Sequence, residues 1–256
     1  MNAALKTLRD AIASVYMGNG RAVDRLLACL LARVHVLVED VPGVGKTVLA
    51  NSLARSIDAS FARIQCTPDL LPTDVTGAAI LDRPSGEFEF RPGPVFANIV
   101  LADEINRTTP RTQSALLEAM SEGQVSAEGR THALPDPFMV VATQNPYEFE
   151  GTYLLPENQL DRFLMRIGLG YPSPDDEARI LDVQPARNTL RSLEPVLSVD
   201  DVRALQQTTD EVRMDRSLAD YVIALAQATR ESDDLLVGMS PRGSLALARS
   251  EEHTSE

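Results

Sequence analysis

Two groups of residues in this sequence have the types and spacing to do chemistry. The first is Asp40-Val41-Pro42-Gly43-Val44-Gly45-Lys46-Thr47. Closely spaced glycines let backbone N–H groups approach anionic oxygens, and a helix starting at the lysine adds the positive end of its dipole. In such a cradle Lys46 would reach the β- and γ-phosphates of a nucleotide, and the Thr47 hydroxyl would ligate Mg²⁺. The apolar His35-Val36-Leu37-Val38 before it and the helix-like run from Val48 to Ala54 after it complete the order strand, loop, helix. Such loops usually open with glycine, and here that position is Asp40. Asp tolerates positive φ better than most residues, so the turn is expected to survive. The competing reading is an ordinary Gly-Pro turn before a helix. The basic residues favour the cradle: of 24 Lys and Arg, only Lys6 and Lys46 are lysine. A compact ammonium fits between phosphates where a planar guanidinium fits poorly.

The second group is Asp103-Glu104, at the end of the apolar run Phe96 to Ala102. That run reads as a strand buried on both faces, as in a parallel sheet. Two carboxylates at its end are costly unless they serve a cation or a water. Beside a phosphate loop, Asp103 would hold Mg²⁺ through its water shell, and Glu104 would activate the attacking water. The competing reading is a helix N-cap after a strand. A further buried strand, Phe138 to Thr143, ends at Gln144-Asn145-Pro146. Ligands bind at the C-terminal ends of strands in open α/β sheets, so Asn145 either positions a water near the γ-phosphate or is a turn asparagine before proline. Arg162 either reaches a neighbouring subunit's phosphate or pairs with Asp161 or another nearby acid. Arg242 stands at a helix start, an unfavourable place for a cation unless an anion is near.

The elements that must position these groups follow from periodicity. Residues 2–14 predict a helix, as does the stripe Val23, Leu26, Leu27, Leu30, Leu31. Phe61 to Cys66 predicts a strand. Gly77–Leu81 and Glu87–Phe90, separated by turn residues, predict a β-hairpin, and Gln124 to Leu134 a shorter one. Thr109 to Glu122 predicts a helix stopped by Gly123. Leu164 to Ile167 is strand-like, and beyond Pro172 the chain is helical.

With 44% hydrophobic and 24% charged residues, the composition is that of a soluble globular chain. The net charge of −13 argues against a broad nucleic-acid surface. Cys29 and Cys66 sit in apolar runs and read as buried free thiols. His35, His132 and His253 show no metal-ligand spacing. Without a membrane-spanning stretch or a signal peptide, the expected location is the cytoplasm.

Together these motifs resemble the MoxR group of AAA+ ATPases, from about residue 15 to residue 249. The resemblance is carried by Leu37 to Thr47, by Gly93-Pro94-Val95-Phe96 through Arg107, by Gln113 to Met120, by Ala142 to Pro146, by Gly151 through Phe163, and by Ser240-Pro241-Arg242. It implies an α/β fold, a P-loop NTPase αβα sandwich with a five-stranded parallel core, followed by an all-α lid. It also implies a hexameric ring with ATP between subunits. The implied roles are Walker A for residues 40–47, Walker B for Ile99 to Glu104, sensor 1 for Asn145, the arginine finger for Arg162 and sensor 2 for Arg242. The implied nucleotide contacts are Pro42, Gly43, Val44, Gly45, Lys46, Thr47, Val48 and Arg242, with adenine near Val15 to Gly18. The hairpin at residues 76–95 resembles the helix-2 insert of that clade. Implied partners are a VWA-domain protein and a client complex that the ATPase remodels.

The expected organisation is a nucleotide-binding core over residues 1–171, with hairpin inserts near 76–95 and 124–134, and a partial lid over 172–248. Residues 249–256, Arg-Ser-Glu-Glu-His-Thr-Ser-Glu, match the translation of a common sequencing adapter and are expected to be non-native. Two other functions compete. A DNA-associated motor of the same clade should carry basic hairpins, yet residues 77–90 set Arg83 alone against the acids Asp82, Glu87 and Glu89 in their charge count. A nucleotide-gated scaffold should lack Glu104 or Arg162, and both are present.

Overall fold

The structure is a computed structural model that describes residues 3–41, 43–81, 83, 86–127, 129–146, 151–183 and 190–251. The chain opens with two helices, α1 (Ala3–Val15) and α2 (Gly20–Leu31), which bury Leu8, Ile12, Leu26 and Leu30. The Asn19 side chain caps α2 by accepting from the N–H of Arg21 at 3.0 Å. Strand β1 (His35–Glu39) leads through the glycine loop into α3 (Lys46–Ser56), and β2 (Phe61–Gln65) follows. A short α4 (Pro72–Thr76) precedes the hairpin β3 (Gly77–Leu81) and β4 (Phe88–Pro92). Then come β5 (Ile99–Asp103), α5 (Pro110–Glu122), the hairpin β6 (Gln124–Ala127) and β7 (Arg130–Ala133), and β8 (Met139–Gln144). A one-turn α6 (Glu157–Leu160) precedes β9 (Phe163–Ile167). Helices α7 (Pro174–Val183), α8 (Val199–Asp210), α9 (Arg216–Glu231) and α10 (Pro241–Glu251) follow among the described residues.

The main sheet has the order β2-β5-β8-β1-β9, with every neighbouring pair parallel. Alternation along the strands divides the core into two layers. Val36, Val38, Ile99, Leu101, Met139 and Val141 pack on one face against α1, α2 and α3. Leu37, Val100, Ala102, Val140 and Ala142 pack on the other against Leu116, Leu117 and Met120 of α5. This is the expected αβα sandwich of a P-loop NTPase. All five strands share one direction, so the C-terminal ends of β1, β5 and β8 lie along one edge. Both cysteines are buried and free, and burial pushes each thiol up to about 12.

Two local expectations need correcting. Phe96 to Asn98 is not strand: Pro94–Phe96 forms a 3-10 turn, and β5 starts only at Ile99. Asn98 is committed to a corner, accepting from the Ser60 N–H and hydroxyl while its own N–H donates to the Ser60 hydroxyl at 2.9 Å. Asp40 does not adopt positive φ, as the candidate site makes clear. The hairpins fall where the sequence places them, and Phe90 of one stacks on His132 of the other with centroids 3.9 Å apart. Residues 82, 84, 85 and 128 of their turns lie outside the described residues.

Candidate active site

The glycine loop leaves β1 at the sheet's C-terminal edge. Gly43 and Gly45 have φ of 89° and 91°, the left-handed region that costs a side-chain-bearing residue most. A Cβ on Gly45 would also come within 3.2 Å of the Tyr16 ring, which closes the loop from behind. Tyr16, from the segment expected near adenine, therefore abuts the loop. Burial, with the nearby Asp40 charge, pushes the Tyr16 hydroxyl up to about 12.

Asp40 holds the loop by side-chain acceptance rather than by backbone conformation. Its φ is not among the positive ones. One carboxylate oxygen accepts from the N–H groups of Leu169 and Gly170, both at 2.6 Å, and the other from the Val41 N–H at 2.8 Å. The Asp40 carbonyl accepts from Lys46 Nζ at 2.6 Å. Burial lowers the Lys46 pKa, and the charges of Asp103, Asp40 and Glu104 oppose that. Pro42 lies outside the described residues.

At the end of β5, Thr143 of the neighbouring β8 organises the acid pair. Its fully buried hydroxyl donates to Asp103 Oδ1 at 2.7 Å and accepts from the Glu104 N–H at 2.9 Å. Glu104 itself is left-handed, with φ 58° and ψ 51°, an unfavourable conformation for a side-chain-bearing residue. Gln113 of α5 steadies the turn by donating to the carbonyls of Ile105 and Thr108 at 3.1 and 3.2 Å. Each acid also meets an arginine: Arg63 approaches Asp103 at 2.6 Å and Arg107 approaches Glu104 at 3.4 Å.

These groups line one cleft of about 370 Å³, formed by Gly43, Gly45, Lys46, Thr47, Val48, Arg63, Gln65, Asp103, Glu104 and Asn145. The cleft thus brings together most of the residues the sequence marks for the nucleotide, the metal and the attacking water. Val44 is half-buried and packs against the α1–α3 side of the core. The donor set suits Mg²⁺: the Thr47 hydroxyl is a hard oxygen ligand, and the Asp103 carboxylate is an acceptor for the ion's water shell. Among the described residues no cluster of three His, Cys, Asp or Glu could hold a metal alone. The rest of a Mg²⁺ shell would come from phosphates and water, the usual arrangement for that ion.

Arg162 and Arg242 lie elsewhere. With Arg33, His35, Ser121 and Leu245 they line a second pocket of about 280 Å³. Arg162 does not pair with Asp161. Its Nη1 donates to the Leu117 carbonyl at 2.7 Å and to the Ser121 hydroxyl, both on α5. Asp161 instead accepts from the Ser240 hydroxyl at 2.6 Å, which joins the start of α10 to the segment before β9. Arg242 is exposed, and among the described residues no acid pairs with it or with Arg162.

Sequence reasoning passes over Arg63, Gln65 and Thr143. Arg63 and Gln65 share one face of β2, and the alternation with buried Ile64 is the available signal. What they face depends on β2 lying beside β5, which periodicity does not give.

Comparison with known proteins agrees with this geometry. The ATPase family associated with various cellular activities (AAA) matches residues 35–165. The uncharacterised Bacillus subtilis protein YeaC is 56% identical over 87% of this chain and 70% of its own length. The Mycobacterium tuberculosis chaperone MoxR1 is 44% identical over 96% of this chain and 68% of its own length. A solved structure from Cytophaga hutchinsonii, described as a candidate ATPase, superposes with a TM-score of 0.89 at 39% identity. That likeness covers 98% of this chain and 78% of the other.

Proposed function

The chain belongs to the AAA family of ATPases, in its MoxR branch, and on that premise we propose that it binds and hydrolyses Mg–ATP and uses the cycle to remodel a protein client. The observation that carries the proposal is the convergence of Lys46, Thr47, Asp103, Glu104 and Asn145 on one cleft. The Lys46 ammonium, now on the Asp40 carbonyl, turns to the β- and γ-phosphates. Backbone N–H groups at Gly43 to Thr47 take the remaining phosphate oxygens, helped by the N-terminus of α3. Thr47 and Asp103 would hold the Mg²⁺, which when bound supplies charge neutralisation across the phosphates. Glu104 accepts a proton from a water that attacks the γ-phosphorus, and Asn145 orients that water. The bond to the bridging oxygen breaks, and ADP and phosphate leave.

Arg162 and Arg242 are proposed to act on the nucleotide of an adjacent copy in a ring. Support comes from their joint place in a pocket that excludes the phosphate loop, with no acid paired to either among the described residues. Remodelling as the output is supported by the relative named as a chaperone. Among the described residues no helix is long and apolar enough to cross a membrane.

Phosphate release from ATP tests the proposal. The wild type should hydrolyse ATP only with Mg²⁺ present, and Lys46→Ala should lose both hydrolysis and nucleotide binding. Tight ATP binding by Lys46→Ala in calorimetry would contradict the role given to the loop.

A further inference from the structure

We propose that Arg63 competes with the divalent cation for Asp103, so that the metal enters this site only together with a nucleotide. The inference rests on the ATPase reading above and deepens it.

The geometry starts from the sheet. In the parallel register of β2 and β5, Gln65 lies opposite Asp103 and Arg63 opposite Leu101. Arg63 is two residues back on the same face as Gln65, so its long side chain runs along the strand toward the carboxylate. Its Nη2 reaches Asp103 Oδ2 at 2.6 Å and Gln65 Oε1 at 2.9 Å. Gln65 in turn offers its Nε2 to Glu104 Oε2 at 3.4 Å. One chain of contacts thus joins Arg63, Gln65 and both carboxylates.

Asp103 has two oxygens. Thr143 occupies Oδ1 through a fully buried hydroxyl that also holds the Glu104 backbone, so that contact is structural. Oδ2 is therefore the oxygen on which a metal-bound water would converge, and it is the oxygen Arg63 holds. Guanidinium and hydrated cation are both donors to the same acceptor. Two cations on one carboxylate oxygen also repel each other. The exchange is mechanically open, because the Arg63 side chain keeps 48% of its surface exposed while that of Asp103 keeps 15%. Arg63 can turn into solvent without leaving a void, whereas the carboxylate stays fixed.

The consequence is an order of events. A cation without phosphates offers too few new ligands to displace a charge-assisted hydrogen bond. A cation that arrives on a nucleotide adds the Thr47 hydroxyl and the phosphate oxygens to its shell, and Arg63 then yields. Arg63 is accordingly a positioning residue acting through Asp103.

The test is binding, not turnover. Binding of a fluorescent, non-hydrolysable ATP analogue is followed while Mg²⁺ is raised from a chelated start, in wild type, Arg63→Gln, Arg63→Lys, Asp103→Asn and the double variant. Removing the competitor should lower the Mg²⁺ midpoint of Arg63→Gln by about tenfold, the scale of one hydrogen bond to a charged group. Metal-free affinity for the analogue should stay at the wild-type value, and Arg63→Lys should remain near the wild-type midpoint. On the Asp103→Asn background, Arg63→Gln should change nothing. Melting temperatures of the Arg63 variants should match the wild type, since the residue is half exposed. An unchanged midpoint, or a persistent effect without Asp103, would overturn the inference. So would a parallel loss of metal-free affinity, which would make Arg63 a phosphate ligand. A wild type that binds no nucleotide at all would overturn the ATPase reading, and this inference with it.

Discussion

Thr143 donates its hydroxyl to Asp103 Oδ1 at 2.7 Å, across the seam between β8 and β5. The Thr143 hydroxyl oxygen also accepts from the N–H of Glu104, a left-handed residue. One buried hydroxyl therefore fixes the orientation of the Asp103 carboxylate and the backbone of Glu104.

Thr143→Val keeps the shape and removes the hydroxyl. It leaves the Glu104 N–H without its acceptor and Asp103 Oδ1 without its buried donor. Turnover should fall roughly ten- to a hundredfold, the scale of leaving a buried polar group unpaired, while ATP affinity changes little. Steady-state phosphate release alongside calorimetry checks this; a drop in affinity equal to the drop in turnover would speak against an orienting role.

His35 gives the stability a pH dependence. Its Nδ1 accepts from the Val140 N–H at 3.0 Å, so Nε2 carries the proton and donates to the Met120 carbonyl at 3.0 Å. Burial brings its pKa down to about 4 from an ordinary 6.5. A base whose folded pKa is depressed is kept neutral by folding. Stability is then undiminished above pH 6.5 and is lost as pH falls from 6.5 toward 4. The loss should total about 3 kcal/mol from this group, at 1.36 kcal/mol per unit. Denaturant melts between neutral pH and pH 4 should show that slope, and it should be absent in His35→Gln.

Arg162 makes a prediction about mixtures. Arg162→Ala should keep nucleotide affinity in the isolated subunit and lose hydrolysis in the assembly, by roughly 10³–10⁵-fold if it acts as an arginine finger. Mixed with Glu104→Gln, it supplies an intact cleft and receives an intact guanidinium, so partial activity should return. A mixture shown to be hetero-oligomeric that stays as inactive as its parents would leave Arg162 with its α5 contacts alone.

The sequence made the cleft legible where chemistry is local. Lys46 and Thr47 follow a strand and open a helix within a few residues, and Asp103-Glu104 terminate an apolar strand, so periodicity alone marks their places. Arg63, Gln65 and Thr143 were not legible because their meaning depends on the order β2-β5-β8, a long-range outcome of folding. Asp40 shows a second limit. The departure from glycine was visible, but its reason is a contact with Leu169 and Gly170, more than a hundred residues downstream. The late start of β5 has a similar cause, since Asn98 is drawn into the corner with Ser60.

Glu104 carries the central claim, and Glu104→Gln tests it most directly. The amide preserves size and hydrogen bonding but cannot take a proton from water. With ATP and Mg²⁺, the variant should bind nucleotide as tightly as the wild type by calorimetry. Its phosphate release under the same conditions should fall by about 10²–10⁴-fold, the contribution typical of a general base. Turnover close to the wild-type rate would contradict the assignment of Glu104 as the group that activates the attacking water.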